Sequence, residues 1–150
     1  MSHRTIPYVL VAASLFLAAC GGEKKGTPSE TPTAAAPAAA APSGPLTPDP
    51  GGKIITVDLV SDGAGNYFKP AEINAKRGDV VRFTLKVGVH NVHFLADSNA
   101  GRSGYPLAAS DFLQLPGQTY DVAVKFPAGT YYFQCDPHAA LGMKGHLIVQ

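Results

Sequence analysis

From Lys53 to the end of the chain, apolar and polar residues alternate in short runs. Ile55, Val57 and Leu59 are separated by Thr56 and Asp58. Val81, Phe83, Leu85 and Val87 follow the same rhythm around Arg82 and Lys86. Tyr120, Val122, Val124 and Phe126 alternate with Asp121 and Lys125. Tyr131, Phe133 and Cys135 share one face, and Leu147 to Val149 make a last apolar run. A period of two turns one face of a strand to the core and the other to water, as in antiparallel sheets. Turn residues separate the runs: Asp62-Gly63, Arg77-Gly78-Asp79, Pro116-Gly117 and Pro127-Ala128-Gly129. No window of a dozen residues carries a helical repeat, although the stretch from Leu95 to Ser110 has room for a short helical turn. Residues 53–150 therefore predict an all-β fold, a Greek-key β-sandwich of seven to eight strands.

The first fifty residues have another texture. Val9 to Ala19 is an apolar stretch of 11 residues behind Arg4. Spanning a bilayer takes about 20 residues, so this stretch reads as the core of an export signal. It ends Leu17-Ala18-Ala19-Cys20-Gly21, which resembles the bacterial lipoprotein signal, where a cysteine after small residues is lipidated and becomes the new N-terminus. Residues 21–52 are rich in Pro, Ala, Thr and Ser and cannot bury enough surface to offset the entropy of ordering. The predicted organisation is a signal over residues 1–20 ending at lipidated Cys20, a disordered linker over 21–52, and a folded domain over 53–150. The protein is then exported and lipid-anchored to a bacterial membrane, in the periplasm or on the outer cell surface.

Charge is balanced, with 12 Lys+Arg against 11 Asp+Glu and no long basic run. That pattern excludes a nucleic-acid footprint and is compatible with a monomer. If Cys20 carries lipid, Cys135 is a lone thiol in an oxidising compartment, a liability unless something occupies it. No nucleophile and base are paired in a way that predicts an enzyme.

The occupant is suggested by the segment from Tyr131 to Gly145. It carries Cys135, His138 and Met143 at a spacing of C-x2-H-x4-M. A thiolate, an imidazole and a thioether are soft to borderline donors, and together they select copper over magnesium, calcium or manganese. A blue-copper site needs two His and one Cys in a plane, with a weak axial Met. The second imidazole comes from His90, His93 or His146. If residues 89–94 are extended, His90 shares a face with Val92 and Phe94, and His93 points the other way. The apolar face belongs to the core, which selects His90. His93 and His146 remain as structural or surface residues. A binuclear copper site would need a second Cys in this loop, and tetrahedral structural zinc rarely uses Met.

These segments resemble the cupredoxins, and the plastocyanin-like branch in particular. The resemblance is carried by His90-Asn91-Val92-His93-Phe94, by Cys135-x2-His138-x4-Met143 with Pro137 before the His and Gly142 before the Met, by Gly129-Thr130-Tyr131-x-Phe133, and by Pro116-Gly117-x-Thr119-Tyr120. It covers roughly residues 53 to 150. It implies an eight-stranded sandwich with one type 1 copper ion cycling between +1 and +2. The implied ligands are His90, Cys135, His138 and Met143, with Asn91 tying the two ligand loops together. It also implies redox proteins as partners, docking on an apolar surface around the second His. Pro137, Ala139, Ala140 and Leu141 are the residues expected to form it, with Gly88 and Val89 beside them. One departure is Asp136, where plastocyanins usually carry a small neutral residue. Its expected consequence is a lowered potential or the recruitment of a cationic partner. The competing expectation for the whole chain is copper carriage or buffering without a dedicated electron-transfer role.

Overall fold

The computed structural model describes residues 44–150. The expected signal, the lipidated Cys20 and most of the expected linker lie outside the described residues. Seven strands form: β1 (Ile54–Asp62), β2 (Gly65–Lys69), β3 (Glu72–Ala75), β4 (Val80–Leu85), β5 (Thr119–Ala123), β6 (Gly129–Gln134) and β7 (Lys144–Val149). They make two sheets, ordered β2-β1-β4-β5 and β3-β7-β6. Two short 3-10 turns, Asp97–Asn99 and Asp136–Leu141, are the helical elements among the described residues. The first falls inside the stretch expected to hold one.

The sheets are mixed rather than purely antiparallel. β1 runs parallel to β4, and β3 runs parallel to β7. Alternation reports which face is buried, not the direction of the neighbouring strand, so this feature was invisible to the period-two pattern. The pattern did locate the core. Val57, Leu59, Val81, Phe83, Leu85, Val122, Val124, Phe126, Tyr131, Phe133 and Cys135 are all buried. Phe133 of β6 sits at the centre of an aromatic cluster that crosses between the sheets. Its ring lies 4.9 Å from Phe68, 5.3 Å from Phe83 and 5.5 Å from Phe94.

Two expectations from the alternation fail. Val87 is exposed, because β4 ends at Leu85 and the chain turns away. Asp121 lies on the face expected to be wet, yet it is 4% exposed. The preceding segment covers it: Leu46 donates its backbone N–H to Asp121 at 2.7 Å, and Arg82 reaches the same carboxylate at 2.6 and 2.9 Å. Asp49 donates its backbone N–H to Gly78 at 2.9 Å. Residues 46–49, within the expected linker, are thus hydrogen-bonded to the β4–β5 side of the domain. The local composition there is loop-like, and its partners, Arg82, Asp121 and Gly78, are distant in the chain.

Candidate metal centre

The segment carrying His90 is not a strand. It is held by single bridges on either side, His90 to Leu113 and His93 to Gln134. Each bridge is a reciprocal pair of backbone hydrogen bonds, at 3.1 and 2.8 Å for the first and 2.9 and 3.0 Å for the second. Between them, Val92 donates to the Ser110 hydroxyl at 2.9 Å. The segment still turns His90, Val92 and Phe94 inward, each with no exposed surface. Asn91, expected on the opposite face, is also buried. A bridged connection need not obey strand parity, and Asn91 is accommodated because Asp136 satisfies its amide.

His90 is oriented from behind. Its Nε2 lies 3.0 Å from the Ser61 hydroxyl and 3.1 Å from the Val87 carbonyl. Ser61 gives its single hydroxyl hydrogen to Asn66 Oδ1, at 2.5 Å. A carbonyl only accepts, and Ser61 has no hydrogen left to donate, so Nε2 must carry the ring proton. The Nδ1 lone pair then faces inward. Burial holds His90 below its ordinary pKa, with His138 adding to the effect and the Val87 hydrogen bond opposing it. The ring is therefore a neutral donor at neutral pH.

Cys135 follows β6, fully buried, on the face shared with Tyr131 and Phe133. Burial pushes its thiol pKa up, and the Asp136 charge adds to this. Backbone hydrogen bonds from Asn91 and His138 pull it the other way. The 3-10 turn beginning at Asp136 then carries His138 back over the sulfur. Pro137 near its start needs no hydrogen-bond partner there. Cys135 Sγ is 3.4 Å from His138 Nδ1 and 3.6 Å from His90 Nδ1, and the two Nδ1 atoms are 3.1 Å apart. One donor atom from each of the three residues thus lies within 4.8 Å of the others.

Met143 returns to the same place. Cys135 N–H donates to the Met143 carbonyl at 3.2 Å, and Met143 N–H donates to the His138 carbonyl at 3.1 Å. Its side chain is fully buried in the core. Of the four residues singled out from the sequence, the fold brings His90, Cys135 and His138 together by their donor atoms, and it closes Met143 onto them by its backbone. His146 is exposed and packs its ring 5.8 Å from Tyr132, apart from this cluster. Two nitrogens of borderline softness and one sulfur, converging within 4.8 Å of one another, fit a copper ion.

Asp136 does more than the sequence suggested. Its backbone N–H donates to Asn91 Oδ1 at 2.8 Å, and Asn91 Nδ2 donates back to its carboxylate at 2.8 Å. His93 and Gln134 complete its partners, at 3.0 Å each. Partial burial would raise its pKa, but hydrogen bonds from Gln134, Asn91 and His93 together hold it below the usual carboxylate range. Ser61 and Phe112 were also missed. Ser61 is 29 positions from His90, and Phe112 lies on a connection with no periodic pattern. Phe112 lines an open groove of about 470 Å3 with Ser61, Val89, Gln114, Pro137 and His138. Leu141, Val89 and Phe112 are among the exposed large apolar side chains.

The family of copper binding proteins that unites plastocyanin and azurin has a model that matches residues 55–150. The chain belongs to this family. As a cupredoxin it binds copper, and it is an electron-carrier kind of protein rather than an enzyme. Among its relatives, plastocyanin of Scenedesmus fuscus is 36% identical over 99 residues, covering 64% of this chain and 99% of that protein. The chloroplastic plastocyanin of Chlamydomonas reinhardtii is 36% identical over 97 residues, covering 63% of this chain and 66% of that protein. Among solved structures, a fern plastocyanin variant determined in oxidised and reduced forms is 32% identical with a TM-score of 0.52. It matches 64% of this chain and 100% of its own. A reduced amicyanin variant is 28% identical with a TM-score of 0.52, over 65% of this cupredoxin and 82% of its own chain.

Proposed function

We propose that His90, Cys135, His138 and Met143 hold one type 1 copper ion, on which this cupredoxin carries single electrons at the extracytoplasmic surface of a bacterial membrane. The observation that carries this reading is the inward convergence of the thiol and two imidazole nitrogens within 4.8 Å. Copper, when bound, supplies a one-electron couple between its +1 and +2 states.

The remaining work belongs to the protein. Ser61 and Val87 fix the His90 tautomer, and the bridges to Leu113 and Gln134 fix its backbone. The core excludes water from Cys135 and Met143, both fully buried. A site held from so many sides changes shape little, which keeps the reorganisation accompanying electron exchange small. His138 is the least buried of the three clustered side chains and borders the open groove. It is the natural edge for contact with a redox partner. Pro137, Ala139, Ala140 and Leu141 form the docking surface around it, with Val89 and Phe112 adjoining. A small, uncharged apolar contact suits weak, rapidly exchanging partners. Export and a lipid on Cys20 supply the location, and residues 21–52 supply reach as a tether.

Four measurements test this reading. Addition of Cu(II) is expected to give an intense visible copper–thiolate band and a reversible one-electron couple by voltammetry. Absence of the band would overturn the ligand assignment, whereas a band without a reversible couple would favour copper carriage. Leu141→Glu is expected to slow electron exchange with a small redox protein while leaving the band unchanged. Cys20→Ser is expected to release the protein from membranes in fractionated cells.

A further inference from the structure

Beyond the Asn91 tie between the ligand-bearing segments, His93 and Gln134 also converge on the Asp136 carboxylate. We infer that His93 and Asp136 form a clasp between these segments, with His93 as a positioning residue that sets the reduction potential through Asp136. The inference rests on the proposed copper site.

Asn91 immediately follows His90, and Asp136 immediately follows Cys135. Their two hydrogen bonds, both 2.8 Å, run in opposite directions and join the chain next to one ligand to the chain next to the other. His93 adds a second tie. Its Nδ1 is 3.0 and 3.1 Å from the two carboxylate oxygens. A carboxylate only accepts, so Nδ1 carries the hydrogen and divides it between them. Gln134 Nε2 donates to the same carboxylate at 3.0 Å, and its own Oε1 accepts from Tyr132 at 2.9 Å. The backbone bridge between His93 and Gln134 closes the figure. No continuous ladder joins residues 90–94 to β6, so this bridge and the side chains around Asp136 replace one.

The same geometry has an electrostatic consequence. A carboxylate one residue from the thiolate stabilises the more positive oxidation state of a metal held there, which lowers the potential. Every donor on that carboxylate draws its charge away from the thiolate and raises the potential. Asp136 and His93 therefore act with opposite signs, although both hold the segments together. A merely mechanical clasp would not separate them in this way.

The test is voltammetry of the copper-loaded protein at one pH and ionic strength, for the wild type, Asp136→Asn, His93→Val and His93→Gln. Asp136→Asn is expected to shift the potential upward and to weaken copper retention about 10- to 100-fold, as loss of an outer-shell partner does. His93→Val is expected to shift the potential downward, and His93→Gln, which restores an N–H donor, to recover part of that shift. Unfolding of the metal-free variants in urea, measured in parallel, identifies any variant that fails to fold. If the wild type shows its copper band but the potentials of folded variants coincide, or move in one direction, the clasp is overturned and the copper site stands. If the wild type shows no band, both fall together.

Discussion

Gly88 lies two positions before His90, with φ +99°. A methyl group built there would sit 2.8 Å from His90 Nε2 and overlap the Ser61 hydroxyl more severely still. Gly88→Ala therefore perturbs His90 Nε2 and the Ser61 hydroxyl that meets it. The positive φ alone costs a residue with a Cβ about 1–2 kcal/mol. Relieving the overlap means pushing the ring and the hydroxyl apart, an overpacking cost of about 1–3 kcal/mol. The expected loss is the sum, about 2–5 kcal/mol. Gly117 is an internal control: its φ is +89°, but a methyl group there would meet nothing within 4 Å. Gly117→Ala should lose only the backbone share, about 1–2 kcal/mol. Urea unfolding of the metal-free proteins measures both losses, and Cu(II) titration followed at the copper–thiolate band reads the site. Gly88→Ala should be the less stable of the two and should show a displaced or weakened band; Gly117→Ala should keep the wild-type band. Equal losses, or an undisturbed band in Gly88→Ala, would refute the claim that this contact positions His90.

Three further outcomes are expected. Asp121→Ala removes the carboxylate that holds Arg82 and Leu46; breaking such a pair should cost about 3 kcal/mol, since Arg82 keeps some access to water. Calorimetry should then show a melting temperature lower by roughly 12–24 °C, and limited proteolysis should find residues 44–52 newly accessible. Phe133→Ala empties the centre of the aromatic cluster and should cost about 3–5 kcal/mol in urea unfolding, with a loss below half of that counting against the packing account. Copper uptake should release about one proton from Cys135 near neutral pH, because burial keeps the thiol protonated until the metal arrives, while His90 is already neutral. Affinity should then rise about tenfold per pH unit near neutral pH, and calorimetry in buffers of different ionisation enthalpy checks the proton count.

The residues that alternate were legible, and so was the closeness in sequence of Cys135 and His138, whose side chains the fold brings together with that of His90. Burial of Cys135, Tyr131 and Phe133 on one face follows directly from period two. His90 was reached by assuming an extended segment, and its inward side was right even though two isolated bridges stand where a strand was expected. That success has a physical reason: Val92 and Phe94 must enter the core whatever holds the backbone. Asn91 shows the limit, because a polar residue can be buried on either side once a partner such as Asp136 satisfies it. Ser61, Phe112, Asp121 and the ordered residues 46–49 were not legible. Each depends on a contact between segments far apart in the chain, and no local pattern announces such a contact. The parallel pairing of β1 with β4 was hidden for the same reason.

Cys135, His138 and Met143 occupy nine consecutive positions, from 135 to 143, whereas His90 lies 45 positions upstream of Cys135. When the sandwich comes apart, the first three stay neighbours, and only the fourth is carried off. On the proposed ligand set, copper keeps a three-point foothold on the denatured chain. A metal gripped by both states stiffens the fold by less than its native affinity suggests, because part of that affinity survives unfolding. Heating such a protein would scatter its strands before it gave up its ion.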